Sequence, residues 1–229
     1  MDWQWAADHV DEIAELTKSH LYLALMPVLW GLLIAVPLGV LCVRLSWLYP
    51  PVFGVVNVLY ALPALALFVL LLDFTGFSNA TIIIPLTIYT LVVLVPNVVD
   101  GLRGVPEPVR QAATAMGFGQ LRRLVQVELP IAIPVIMAGL RIATVSSISL
   151  VSVGVLIGQD FGGLGDLFID GFQKNFMTPL IIGVVLIVLL ALAADALLVV
   201  AQRFLTPWSR TRVVRGRTRA RVARRWRPA

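Results

Sequence analysis

Five runs of about 20 residues, each long enough to cross the hydrocarbon core of a bilayer as an α-helix, dominate this chain. They cover residues 21–43, 52–72, 80–99, 131–157 and 180–204. The first three carry no charge, the fourth only Arg141, and the fifth only Asp195 and Arg203. Hydrocarbon offers no partner to a backbone N–H or C=O, so such runs must satisfy their polar groups within themselves, as helices do. The predicted class is therefore all-α, a polytopic membrane helix bundle of about five transmembrane helices. Composition agrees: 59% of the 229 residues are hydrophobic and 14% charged, against about 25% charged in soluble domains.

The soluble segments set an expected orientation. From Arg203 onward the chain carries ten arginines and no acid, whereas the first 20 residues hold Asp2, Asp8, Asp11, Glu12 and Glu15 against Lys18. The positive-inside rule places the arginine-rich end in the cytoplasm and, with five spans, the acidic N-terminus outside. Three regions are predicted: an extracytoplasmic segment at 1–20, a transmembrane unit at 21–208 with a cytoplasmic break at 100–130, and a basic cytoplasmic tail at 209–229. The acidic first residues lack the basic region of a cleavable leader, so the first span is expected to act as its own insertion signal. The tail is suited to anionic lipid head groups; with a single aromatic, Trp226, it does not read as a nucleic-acid site. Cys42 is the only cysteine and lies in an apolar run, where it is expected as a small buried hydrophobe.

The break between the third and fourth spans carries the strongest pattern. Pro106 and Pro108 interrupt the helix after the third span. Residues 109–116 are good helix formers, with Ala112, Ala113 and Ala115 giving a small-sided face. Gly117 and Gly119 then end or bend that helix. A second short amphipathic stretch places Leu121, Leu124 and Val125 on one side. The plain physical alternatives are an interfacial helix lying on lipid and a docking element for another protein.

A family resemblance implies the second. Gln111-Ala112-Ala113, three residues, Gly117, nine residues, then Val127, Leu129 and Pro130 resemble the EAA motif of ABC importer permeases. Gln stands where that motif has Glu, and Val where it has Ile. The resemblance implies a coupling helix seated in a groove of a cytoplasmic ATPase subunit, with Gln111, Ala112, Ala113, Gly117, Leu129 and Pro130 at the contact. No G-x-x-x-x-G-K-[ST] loop is present. The resemblance thus implies a permease without its own ATPase site, with no cofactor on this chain and with ATP and Mg on separate partner subunits. Residues 55–71, 116–145 and 157–172 look like permeases of the glycine betaine, carnitine and choline group, and likeness to that group runs from about residue 21 to 208. The implied function is import of a small compatible solute by alternating access in a bacterial inner membrane. Methionine and sulfonate importers carry similar segments and supply the alternative substrates. An extracytoplasmic substrate-binding protein and a second permease copy or paralogue are the further partners, because one five-span unit is too small to enclose a path.

Candidate path residues are the polar ones in the spans. Thr144, Ser146, Ser147, Ser149 and Ser152 cluster in the fourth span, and Asn57 and Tyr60 are three apart in the second. Each hydroxyl serves either a pathway or interhelical hydrogen bonding. Asp195 either attracts a cationic solute, pairs with Arg141, or is protonated. Gly162, Gly163, Gly165 and Asp166 form either an external turn or a gating element. A channel, a secondary transporter and an intramembrane enzyme are the other function classes. No metal-ligand spacing occurs, and His9 and His20 both lie near the N-terminus, so no histidine site is expected within the bundle.

Overall fold

The computed structural model describes residues 3–158 and 161–209. Gln159, Asp160 and the arginine-rich segment from Arg210 onward lie outside the described residues, and the lipid-binding expectation for the tail falls there. Among the described residues the chain is helical without strands. α1 (Trp3–Asp8) leads into α2 (Val10–Arg44). α3 (Tyr49–Ala61), α4 (Ala64–Thr75) and α5 (Asn79–Arg103) follow. α6 (Glu107–Ala115) and α7 (Gln120–Arg123) occupy the break. A π-helical turn, Leu124–Glu128, joins α7 to α8 (Leu129–Gly154). α9 (Asp166–Gln173) and α10 (Met177–Leu205) complete the fold.

Four helical stretches are long and apolar enough to span: Val10–Arg44, Asn79–Arg103, Gln120–Gly154 and Met177–Leu205. The second expected span, residues 52–72, is broken. Ser46–Ala61 and Ala64–Thr75 meet at a bend of 92°. Pro63 explains the break, since a proline pushes the preceding residue out of helical geometry. Leu62 is accordingly extended (φ −71°, ψ 136°). Hydrocarbon does not tolerate the freed carbonyl of Leu62, and the Tyr89 hydroxyl on α5 donates to it.

Lipid tails are as apolar as leucine, so packing and internal hydrogen bonds rather than water exclusion hold such helices together. α5 runs through the middle of the bundle, against α2 and α8. Close approach depends on small residues: a Cβ at Gly139 of α8 would lie 2.6 Å from Asn97 Cγ of α5. One core cluster joins Leu23, Phe68, Ile82, Ile148, Leu164 and Ile187. A second joins Ala35, Leu94, Val98, Leu124, Ala132 and Ile136. Cys42 is wholly buried, as expected.

One expectation is revised, that the histidines stay outside the bundle. α2 begins at Val10, so much of the segment read as extracytoplasmic is continuous with the first span. His20 is thereby carried into the bundle and is fully buried. Its Nε2 lies 2.9 Å from the Ile148 carbonyl of α8, and its Nδ1 accepts the Leu164 N–H at 3.3 Å. That pattern assigns the proton to Nε2. Both ring nitrogens are engaged, so His20 pins α2, α8 and the 161–165 loop together.

Candidate functional site

α6 is short, lies between two membrane-length helices, and is fixed at both ends. Pro106 caps it in extended geometry, and Pro108 sits in its first turn, where no intrahelical N–H is needed. It closes in a Schellman arrangement: Phe118 N–H donates to the Ala113 carbonyl at 3.1 Å and Gly117 N–H to Thr114 at 2.9 Å. Gly117 adopts φ +81°, the left-handed region, with open space around the position of a Cβ.

Two arginines tie this helix to the spans. Arg110 Nη2 donates to the Leu102 carbonyl at 2.5 Å, at the negative end of α5. Arg123 Nε donates to Glu128 at 2.7 Å, and its Nη1 to the Thr114 hydroxyl at 3.0 Å. Thr114 in turn donates to the Arg110 carbonyl at 2.9 Å. Glu128 is 8% exposed, so its charge is matched inside the protein. The run Arg110–Thr114–Arg123–Glu128 thus links α5, α6 and the start of α8. Neither arginine link is legible in the sequence, because both depend on a turn that brings residues 5 to 9 apart face to face.

The expected small face of α6 divides. Ala113 is buried, while Gln111, Ala112 and Ala115 are exposed. Met116, Leu121 and Val125 are exposed beside them, at 69%, 71% and 54%. Leu124 does not share a side with Leu121 and Val125; it enters the core. The π turn changes the rotation per residue and so breaks the 3.6-residue pattern. Leu129 and Pro130 are half-buried where α8 begins.

The polar span residues disperse. Asn57 donates to Phe53, Thr144 to Leu140, Ser149 to Val145 and Ser152 to Ser149, each within its own helix. Ser147 donates across to the Ala24 carbonyl at 2.7 Å and joins α8 to α2. Asp195 is held by Arg141 in a two-point pair, 2.6 and 2.8 Å, linking α10 to α8. Of the candidates, Tyr60 and Ser147 line one recess, together with Tyr89, Thr90 and Ser146. Thr144 lines a separate, otherwise aliphatic cavity between α2, α8 and α10. Tyr89 escapes sequence reading because an aromatic in an apolar run looks like core.

The glycine segment is no open turn. Gly163, Leu164 and Gly165 are buried, and Gly162 (φ +64°) and Gly163 (φ +126°) bring the backbone against Ser19 and His20. Asp166 starts α9 beside Glu12, Leu16 and Asp170. Burial first, then the charge of Asp170, pushes its carboxyl up to about 6.

Comparison with known proteins fits this geometry. Residues 28–209 match the family described as binding-protein-dependent transport system inner membrane component. The osmoprotectant import permease protein OsmW of Salmonella typhimurium is 37% identical over 205 residues, covering 87% of this chain and 94% of that protein. The choline transport system permease protein OpuBB of Bacillus subtilis is 34% identical, covering 86% and 89%. Among solved structures, an inward-facing form of the MetNI methionine ABC transporter has a TM-score of 0.67 at 23% identity, covering 81% of this chain and 94% of that one. An amino acid ABC transporter solved with histidines has a TM-score of 0.68 at 17% identity, covering 89% and 98%. The two structures share the fold. Family match and relatives spanning nearly the whole length together establish that this chain belongs to the binding-protein-dependent transport system inner membrane components.

Proposed function

We propose that this chain is the permease subunit of an ATP-driven importer for a small quaternary amine such as glycine betaine, choline or carnitine. The carrying observation is α6: a short helix with Gln111 and Ala112 outward, capped by Gly117 and fixed by Arg110 and Arg123 to the ends of α5 and α8. A push on such a helix moves both spans together. The exposed Met116, Leu121 and Val125 that follow it suit a protein groove. ATP and Mg belong to a separate cytoplasmic ATPase, and Gln111, Ala112, Gly117 and the flanking Leu129–Pro130 turn form the docking region. With Gln111 in place of a carboxylate, the contact relies on shape and hydrogen bonding rather than on an ion pair.

Solute choice follows the relatives, which are named for osmoprotectants and choline. A substrate-binding protein delivers the solute from outside, near the 161–173 segment, which acts as the gate. A second copy or paralogue closes the path. The N-terminus lies outside and the C-terminus in the cytoplasm.

The test is ATP-dependent uptake into proteoliposomes holding the permease, its ATPase and its binding protein. Radiolabelled glycine betaine, choline, carnitine and methionine are compared. Accumulation of quaternary amines with ATP, and none without it, is the expected result. Uptake that persists without ATP, or that is confined to methionine, overturns the reading.

A further inference from the structure

The recess beside the bent span combines aromatic rings and hydroxyls with aliphatic side chains. Tyr60 from α3, Tyr89 and Thr90 from α5, and Ser146 and Ser147 from α8 line it. The two tyrosine rings meet at 71° with centroids 5.3 Å apart, so they form an aromatic corner. Tyr89 is 8% exposed and is locked by its hydroxyl to the Leu62 carbonyl. Its ring cannot swing away without freeing that carbonyl. Tyr60 is 53% exposed and borders the mouth. Thr90 and Ser147 are occupied with the carbonyls of Thr87 and Ala24. Irregular backbone at membrane depth is tolerated where protein buries it or where it lines a cavity, and here the break at Leu62-Pro63 sits against this recess.

Among the described residues no carboxylate lines the recess. Asp195, on α10, is already matched at two points by Arg141. A cation in the recess therefore meets ring faces, hydroxyls and the aliphatic Leu86, Val93, Ala143 and Leu150, not a full negative charge. That suits a quaternary ammonium, whose charge is spread over methyl groups and which has no N–H to donate. It also suits passage: a carboxylate in a low dielectric holds a cation strongly, whereas a transit site must bind loosely enough to release.

We propose that the Tyr60–Tyr89 corner is a transit site for the quaternary ammonium head of the solute, held by cation–π attraction rather than by ion pairing. This rests on the functional reading above, which supplies the solute class. Tyr60 contributes the accessible ring, and Tyr89 the fixed one.

The test uses the full complex of permease, ATPase and binding protein in proteoliposomes, and reads choline transported per ATP hydrolysed. Tyr60→Leu is expected to lower that ratio about fivefold, the scale of one exposed cation–π contact. Tyr60→Phe restores it, because the ring and not the hydroxyl is required. Replacing Tyr60 by phenylalanines of rising ring fluorination, which keep the size but drain the face of negative potential, lowers the ratio step by step. Tyr60→Leu at the wild-type ratio, or Tyr60→Phe falling as far as Tyr60→Leu, overturns the site. If Tyr60→Leu fails to assemble, the fluorinated series decides, and a flat series overturns the proposal. A wild-type complex that moves methionine alone defeats the functional reading and this ligand with it; one that moves choline with a flat series defeats only the site.

Discussion

Gly117 turns the chain with φ +81° and has open space where a side chain would begin. Two effects of substitution are therefore separable. Gly117→Ala costs roughly 1–2 kcal/mol for a left-handed backbone but adds little bulk. Gly117→Leu adds a branched group on the proposed docking side. A docking loss of about 1.4 kcal/mol is tenfold in affinity. ATPase co-purification with Gly117→Leu is expected to fall by about that factor while the spans insert normally; equal recovery for the two variants would argue against a docking role. Asp195 is the converse case. Its two-point pair with Arg141 makes it a cross-link between α8 and α10, so Asp195→Asn should lower the melting temperature of the purified protein as well as uptake. Leucine at both positions should recover much of the thermal stability, since an apolar pair leaves no charge unmatched. A stable Asp195→Asn with selective loss of uptake would return Asp195 to the path.

At the level of elements, α6 is held by side chains rather than by its own length. Nine residues are too few for a helix to persist alone. Removing Arg123 strands the buried carboxylate of Glu128 and frees Thr114 from the α7 end, at roughly 1–3 kcal/mol. Arg123→Ala should speed amide hydrogen exchange across 109–115 and lower transport per ATP hydrolysed; unchanged exchange would show that α6 is held otherwise. α9 carries a pH dependence. The Asp166 carboxyl sits at about 6 in the folded protein, against 3.8 when free. Between those values the folded form binds more protons than the unfolded one, so packing of α9 weakens as pH rises through about 6 and is fully supported below about 4. Exchange protection of 166–173, corrected for intrinsic rates, should be higher at pH 5 than at pH 7.5. Asp166→Asn should erase the difference.

Across the whole molecule, α5 is the axis on which the others pack, and small residues set the crossings. Leucine at Gly139 would drive its Cβ into Asn97, at 2.6 Å from Cγ and 2.7 Å from Cβ, neither at the end of a flexible chain. Gly139→Leu is expected to destabilise the bundle by about 1–3 kcal/mol, read as a lower midpoint of thermal unfolding in detergent. An unchanged midpoint would mean that α5 and α8 slide apart freely. The helices nonetheless leave open space between them, including the recess at the bent span and the aliphatic cavity between α2, α8 and α10.

The length and apolarity of the runs, the proline–glycine punctuation of the break and the spacing from Gln111 to Pro130 were legible from residues alone, because each is a local property of the chain. They determined the helical class, the number of runs, the position of α6 and the likeness to importer permeases. Tertiary structure decided what depends on rotation and approach. It bent the second span at Pro63 and gave its free carbonyl to Tyr89. It drew His20 into the core, turned Ala113 inward and Ala112 outward, and paired Asp195 with Arg141. It also gathered two tyrosines 29 positions apart into one corner. A polar residue in an apolar run must find a partner, but nothing local says which, since lipid supplies none and every neighbouring helix competes to be the one that does.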